Sequence, residues 1–273
     1  THGVVPPHIF AGINLNLPVI GRLLRECPDD VVAGRDLPEL VGKMNERGLD
    51  GHSVDAKVLE AWVLFHRGEF QKAFEAGLKA GGAGITVANK AQAIYANYVE
   101  KSEKTKLAMF QEVAARAEAL QGDEPNNANA HYWQAYALGR YSQGISVVKA
   151  LAQGLGSKVK SALERTIKLA PKHADAHIVL GTFHAEVIDK VGSLLGKTQG
   201  ADKATGLKMF QQALKLNPLS AIAMVEYANG LVMLEGEKKM KEAEKLYADA
   251  AACTPADAME RLDVEMAKEE LED

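Results

Sequence analysis

Four prolines set a period along this chain. Pro125, Pro171, Pro218 and Pro255 lie 46, 47 and 37 residues apart, and none falls between Pro38 and Pro125. Three of them open the same frame. Pro125-Asn-Asn-Ala-Asn-Ala-His131, Pro171-Lys-His-Ala-Asp-Ala-His177 and Pro218-Leu-Ser-Ala-Ile-Ala-Met224 all read Pro-x-x-Ala-x-Ala. The upstream sides match as well, in Ile167-Lys-Leu-Ala-Pro171 and Leu214-Lys-Leu-Asn-Pro218. Proline denies the helical conformation to the residue before it, so each site reads as a helix stop followed by a fresh start. A repeated stop at such intervals points to repeated structural units.

Between the stops the apolar period is helical. Ala176, Leu180 and Phe183, then Leu207, Phe210, Ala213 and Leu214, recur at three- and four-residue steps, and alternating runs of Val, Ile, Thr and aromatics are absent. The pattern predicts helices at Lys57–Arg67, Phe70–Lys79, Ala88–Lys101, Thr105–Leu120, Ala128–Tyr141, Val159–Leu169, Asp175–Lys190, Thr205–Leu216, Ala221–Leu234 and Lys238–Ala252. The fold class is all-α. Small residues recur where paired helices must cross closely: Ala61, Ala73 and Ala80, then Ala96, Ala108 and Ala115, then Ala228, Ala243 and Ala250.

These features resemble the tetratricopeptide repeat (TPR). The clearest unit is Leu59-Glu-Ala-Trp-Val-Leu-Phe-His-Arg-Gly-Glu-Phe-Gln-Lys-Ala73, with a small residue on the first helix, glycine at the turn, an aromatic after it and alanine on the second helix. The resemblance covers roughly Val54 to Pro255 and implies a right-handed superhelix of stacked helical hairpins, an α-solenoid. Against a standard unit of ~34 residues, two repeats carry inserts, around Gly144–Gly154 and Val187–Gly196. Both are apolar, which predicts an extended first helix or an added short helix packed on a neighbouring repeat or a second subunit. Long inserts, together with His131-Tyr-Trp-Gln-Ala-Tyr-Ala-Leu-Gly-Arg140 and His177-Ile-Val-Leu-Gly-Thr-Phe183, are similar to those of the regulators of microtubule dynamics and of the bacterial TPR partners of TRAP transporters.

Residues 51–255 therefore read as about five hairpins. Residues 1–50 do not fit the repeat and read as an N-terminal capping segment: Ile9–Leu24 is apolar but broken by Pro18 and Gly21, and Asp36–Arg47 has a capping Asp with proline in its first turn, which favours a short helix. Residues 256–273, with eight acidic and two basic side chains, read as a solvated C-terminal capping helix, or else as an acidic docking tail. The chain starts without Met and without a basic signal head, so the natural amino terminus is expected to be missing, and with it any export signal or lipid anchor.

Charge and composition narrow the function. Thirty-two basic against 36 acidic residues give a net charge of −4, which offers nucleic acid no general attraction. Cys27 and Cys253 are too few and too far apart for a disulfide framework or a paired-cysteine metal motif, and Cys27 beside Pro28 reads as a small buried residue. No run of residues is apolar and long enough to span a membrane. Gly192-Ser-Leu-Leu-Gly196-Lys-Thr198 is one residue short of a phosphate loop and follows no strand, and Gly81-Gly82-Ala83-Gly84 reads as a helix-to-helix turn. His173, His177 and His184 have a spacing that could direct two imidazoles at a metal, but His177, Leu180, Gly181 and His184 form an inward stripe, so core or interface histidines are expected and no cofactor is. A metal-dependent hydrolase built on these histidines is the weakest of the functional readings.

What remains is a groove. In the TPR fold the first helix of each pair lines the concave side. That face selects Lys90, Asn97 and Lys101, then Tyr132, Tyr136 and Arg140, then Asp175, Ile178, Thr182 and Glu186, then Asn229. Aromatic faces and hydrogen-bonding groups together suit an extended peptide, whereas the carboxylate clamp of some TPR relatives is matched only in part, by Lys90, Asn97, Lys101 and Arg140. The expectation is a non-enzymatic adaptor binding a peptide or protein segment in the concave groove, with a homo-oligomer built through the apolar inserts as a further expectation. The alternative, implied by the TRAP-associated resemblance, is an oligomeric transporter accessory protein that binds or passes a small organic ligand.

Overall fold

In a computed structural model, residues 56–255 and 257–272 are described. Among them every regular element is helical. Five hairpins follow one another: α1 (Ala56–His66) with α2 (Phe70–Ala80), α3 (Gly84–Tyr98) with α4 (Glu103–Asp123), α5 (Ala128–Gln143) with α7 (Leu155–Leu169), α8 (Ala174–Thr198) with α9 (Lys203–Leu216), and α10 (Ala221–Glu235) with α11 (Met240–Ala251). A short α6 (Val147–Ala152) sits between α5 and α7, a 3-10 turn (Glu237–Lys239) precedes α11, and α12 (Ala258–Glu272) closes the chain. Each first helix packs against the first helix of the next pair, the contact pattern of an α-solenoid. Residues 1–55 lie outside the described residues, and with them the expected N-terminal cap, its Asp36–Arg47 helix and Cys27.

The proline frame is a single backbone motif used repeatedly. Helices α4, α7 and α9 end on Glu124, Ala170 and Asn217, with φ/ψ of −130°/73°, −131°/81° and −133°/86°. These are the non-helical conformations that a following proline enforces. Two residues past each proline stands the N-cap of the next helix. Asn127, His173 and Ser220 accept the backbone N–H of Ala130, Ala176 and Ala223 at 3.2, 3.2 and 3.3 Å. Asp257, two past Pro255, does the same for Glu260 at 2.8 Å. One four-residue device thus ends a second helix, turns the chain and starts the next first helix.

The inserts take the two forms expected of them. The first adds α6. The second extends α8, which is broken at Gly192, whose φ/ψ of 78°/161° only glycine adopts without strain, so that a straight 174–191 segment is followed by a separate turn at 193–198. The near phosphate loop therefore consists of this break at Gly192 and the helical turn after it. Around Phe210, which is fully buried, the hairpins interlock: Cβ atoms built on Gly181 of α8 and Gly230 of α10 would stand 2.9 and 2.3 Å from its ring. Glycine on both sides lets α8 and α10 close on one aromatic of α9.

The C-terminal helix is not the solvated cap that its composition suggested. Ala258, Leu262, Asp263, Val264 and Ala267 are buried, Arg261 and Glu265 are partly exposed, and the final residues, from Lys268 onwards, face solvent. Val264 and Ala267 pack with Ala221 and Val225 of α10 and Ala250 of α11, whereas Ala258 and Leu262 join the core of the first hairpin beside Trp62 and Phe65. Helix α12 thus runs along the first-helix side and ties the last repeat to the first. Two polar contacts secure it. His66 of α1 meets the second carboxylate oxygen of Asp257 at 2.5 Å, and the Tyr98 hydroxyl of α3 donates to Asp263 at 2.5 Å.

Candidate functional site: a pocket between the first helices

The first-helix side is divided into a covered part and an open part. Lys90 belongs to the covered part: it is 5% exposed, its ammonium lying 5.0 Å from the centre of the Phe65 ring and 5.9 Å from that of Trp62, and its charge favours the ionised forms of Asp257, which caps α12, and of Asp263 within it. Asn97 is half-buried and Lys101 is exposed in the turn after α3. The partial clamp is therefore not assembled, since Lys90 is covered, Lys101 lies beyond the end of its helix and Arg140 is engaged elsewhere.

The open part is a pocket of about 150 Å³ between α5 and α8. Seven residues selected from the sequence line it: Tyr132, Tyr136, Arg140, Asp175, Ile178, Thr182 and Glu186. The inserts complete its wall, with Val147 and Leu151 from α6 and Val187 and Val191 from the extension of α8, while Met259 of α12 and Ile222 of α10 bound its inner end. Tyr132 and Tyr136 are 5% and 8% exposed, packed edge-on against Trp133, so they belong to the core as well as to the pocket wall. Ile178 is likewise buried, against Ala213 and Ala223.

A fixed polar lattice runs along one side. The Arg140 guanidinium lies 5.4 Å from the Tyr136 ring centre and pairs with Glu226 at 3.2 Å. The other Glu226 oxygen accepts from Thr182 at 3.0 Å, and Gln143 donates to Glu186 at 2.6 Å. Helices α5, α8 and α10 are thereby joined across the pocket. Burial works against the Arg140 charge, but Tyr136, Glu226 and Tyr98 more than offset it, so its pKa lies above the ordinary value and the charge is permanent. Burial is also the main reason that Tyr136 and Tyr98 are raised, Asp263 adding to the effect on Tyr98.

Sequence reasoning missed two members of this lattice, Gln143 and Glu226, of which Glu226 joins three helices. Glu226 lies one helical step before Asn229, on the same face as Ile222, and that spacing was the available signal. Asn229 itself sits in a smaller adjoining hollow with Arg140, Thr182 and Glu226, where it accepts from Tyr247 at 2.7 Å.

The histidines have separate structural tasks. His173 caps α8, His177 contacts the His173 carbonyl at 2.9 Å, and His184 accepts from the Asp202 N–H at 3.0 Å. Burial lowers the pKa of both His177 and His184, which keeps them neutral. Among the described residues no three His, Cys, Asp or Glu side chains are grouped as metal ligands, and no helix is long and apolar enough to cross a membrane.

The fold and this first-helix pocket define the class: a TPR-like helical-repeat protein. A thermophilic TPR protein of Thermus thermophilus shares the architecture, matched over 78% of this chain and 97% of that one, with a TM-score of 0.56 and 17% identity, a likeness of fold alone. Within that class the chain belongs to the family of regulator of microtubule dynamics protein 1-3, whose model matches residues 85–272. The matched span takes in α12 and leaves out α1 and α2. Short stretches also resemble glycerol-3-phosphate acyltransferases, 79% identical over 24 residues in Xanthomonas axonopodis pv. citri (strain 306) and 72% over 25 residues in Xylella fastidiosa (strain M12). Each covers 9% of this chain and 3% of the enzyme, and such a fragment carries no activity across.

Proposed function

We propose that this chain is a non-enzymatic adaptor that receives a protein segment in the pocket between α5 and α8. The reading rests on one observation: seven residues placed inward by helical periodicity converge on a single cavity with an apolar wall and a fixed polar side. A cavity of about 150 Å³ takes a benzene-sized group. One aromatic or branched side chain of the segment fills it, while the backbone beside that anchor hydrogen-bonds to Glu186 and Gln143 at the rim. Since Lys90 is buried beside Trp62 and Phe65, the segment occupies only the α5–α8 part of the first-helix side and does not run its whole length.

Truncating Tyr132 or Tyr136 would damage the core, so the test uses residues at the rim. Val187→Arg and Val191→Arg place a long cation in the mouth at half-buried positions. Peptides selected from a random display library on the wild-type protein should bind each variant at least about tenfold more weakly, the loss of one anchor of ~1.4 kcal/mol or more, with melting unchanged. Selected peptides that bind both variants normally would refute the pocket as the site.

The apolar wall also favours a second reading, a small organic ligand in place of a peptide side chain, as in the TRAP-accessory alternative. Native mass spectrometry separates the two: an adduct carried through purification, and lost in Val187→Arg, would support the small ligand.

A further inference from the structure

The inserts do more than wall the pocket, because their outer faces are exposed and apolar. Val148 of α6 is 77% exposed and Leu194, just past the Gly192 break, is 86% exposed, with Leu151 and Leu195 at 41% and 46%. The two inserts border one pocket: Val147 and Leu151 of α6 and Val187 and Val191 of α8 line it together, and Gly200, just past α8, lies against Lys160 of α7. Lysines flank them in sequence. Residues 144–160 carry three lysines and no carboxylate, and 187–204 carry three lysines and two aspartates, a net of +4 in a chain whose total is −4. Lys160, Lys190 and Lys203 have carboxylate partners, whereas Lys149, Lys158 and Lys197 are exposed and make no ion pair among the described residues.

We propose that the two insert tips form a docking surface for an anionic membrane, with Val148 and Leu194 entering the headgroup boundary and Lys149, Lys158 and Lys197 meeting lipid phosphates and carboxylates. Single apolar side chains projecting among cations match the two forces that hold a peripheral protein on a bilayer: burial of a few apolar groups and attraction to anionic lipid. Charge also decides against a second copy of this chain as the occupant. A two-fold contact places like patch on like patch, which would bring both sets of lysines face to face. The surface lies outside the pocket proper, so this inference goes beyond the adaptor reading and can fail without it.

Co-sedimentation with vesicles of phosphatidylcholine alone, and of phosphatidylcholine with phosphatidylserine, tests it. Binding is expected only with phosphatidylserine, falling as salt rises, and weakening by roughly fivefold for each of Lys149→Gln and Lys197→Gln. The double variant Val148→Glu with Leu194→Glu should lose binding by at least about tenfold, while its helical content and melting, at such exposed positions, stay at wild-type values. Absence of binding to phosphatidylserine vesicles at low salt would overturn the proposal. So would binding indifferent to the double variant, or a dimer on a sizing column that the double variant disperses.

Discussion

At the residue scale, the Phe210 ring is held tightly between Gly181 and Gly230. A methyl group at Gly230 would come within 2.3 Å of Phe210 Cε2 and 2.7 Å of Cζ, and the ring has the backbone of α8 behind it. Gly230→Ala is therefore expected to destabilise the protein by about 1–3 kcal/mol, the usual cost of overpacking. Denaturant melts would show it, and adding Phe210→Leu should recover part of the loss, because the two substitutions share one contact. Asp263 supplies a second residue-level expectation. Burial chiefly, with Asp257 and Asp175 adding to it, raises its pKa from 3.8 to about 7, against the opposing pull of the Tyr98 hydrogen bond and Lys90. A raised carboxyl favours its neutral form when folded. Stability from this group is thus complete below about pH 4 and declines as pH rises towards 7, by at most ~1.4 kcal/mol per unit. Asp263→Asn should flatten that decline while keeping an acceptor for Tyr98, and an unchanged pH profile would contradict it. Asp257 titrates in another window: although burial opposes it, the His66 hydrogen bond and charge keep its pKa below the ordinary value, so its contribution disappears only in acid.

At the scale of elements, legibility followed the physics of each signal. Helix limits were readable because prolines and caps act locally: Ala128, Ala221 and Leu216 appear as expected ends, and the Pro-x-x-Ala frame contained the caps Asn127, His173 and Ser220 in its third position, although the frame alone did not show what that position did. The Gly192 break was less visible, since a glycine within an apolar run does not announce a positive φ. The inward face was readable from spacing, hence the seven pocket residues. Depth was not. Tyr132 and Tyr136 sit in the core, packed on Trp133, and Lys90 is covered, beside the Trp62 and Phe65 rings of the preceding hairpin, because exposure on a first helix depends on what the neighbouring repeats lay over it. For α12 itself, eight acidic residues in the last 18 of the chain signalled solvent. Two of them, Asp257 and Asp263, instead found buried partners in His66 and Tyr98, contacts that no local pattern encodes.

For the whole molecule, α12 changes what kind of solenoid this is. An open stack of hairpins has nearest-neighbour stability: each repeat senses only the ones beside it, and damage at one end fades before it reaches the other. Here α12 leaves the fifth hairpin and buries Ala258 and Leu262 in the core of the first, so the two ends share a boundary. Burial of Ala258, Leu262, Val264 and Ala267 is worth on the order of 5 kcal/mol, divided between hairpins that are distant in sequence. Ending the chain after Pro255 should remove that coupling. Amide hydrogen exchange is then expected to accelerate in α10 and α11 and, equally, in α1 and α3, while α7 and α9, which pack apart from α12, keep more of their protection. Loss confined to the adjoining hairpin would mean that α12 is only a terminal cap. Accelerated exchange at both ends would establish that the helix clasps the array, and that the pocket between α5 and α8 is held at its inner end, through Met259, by the same clasp.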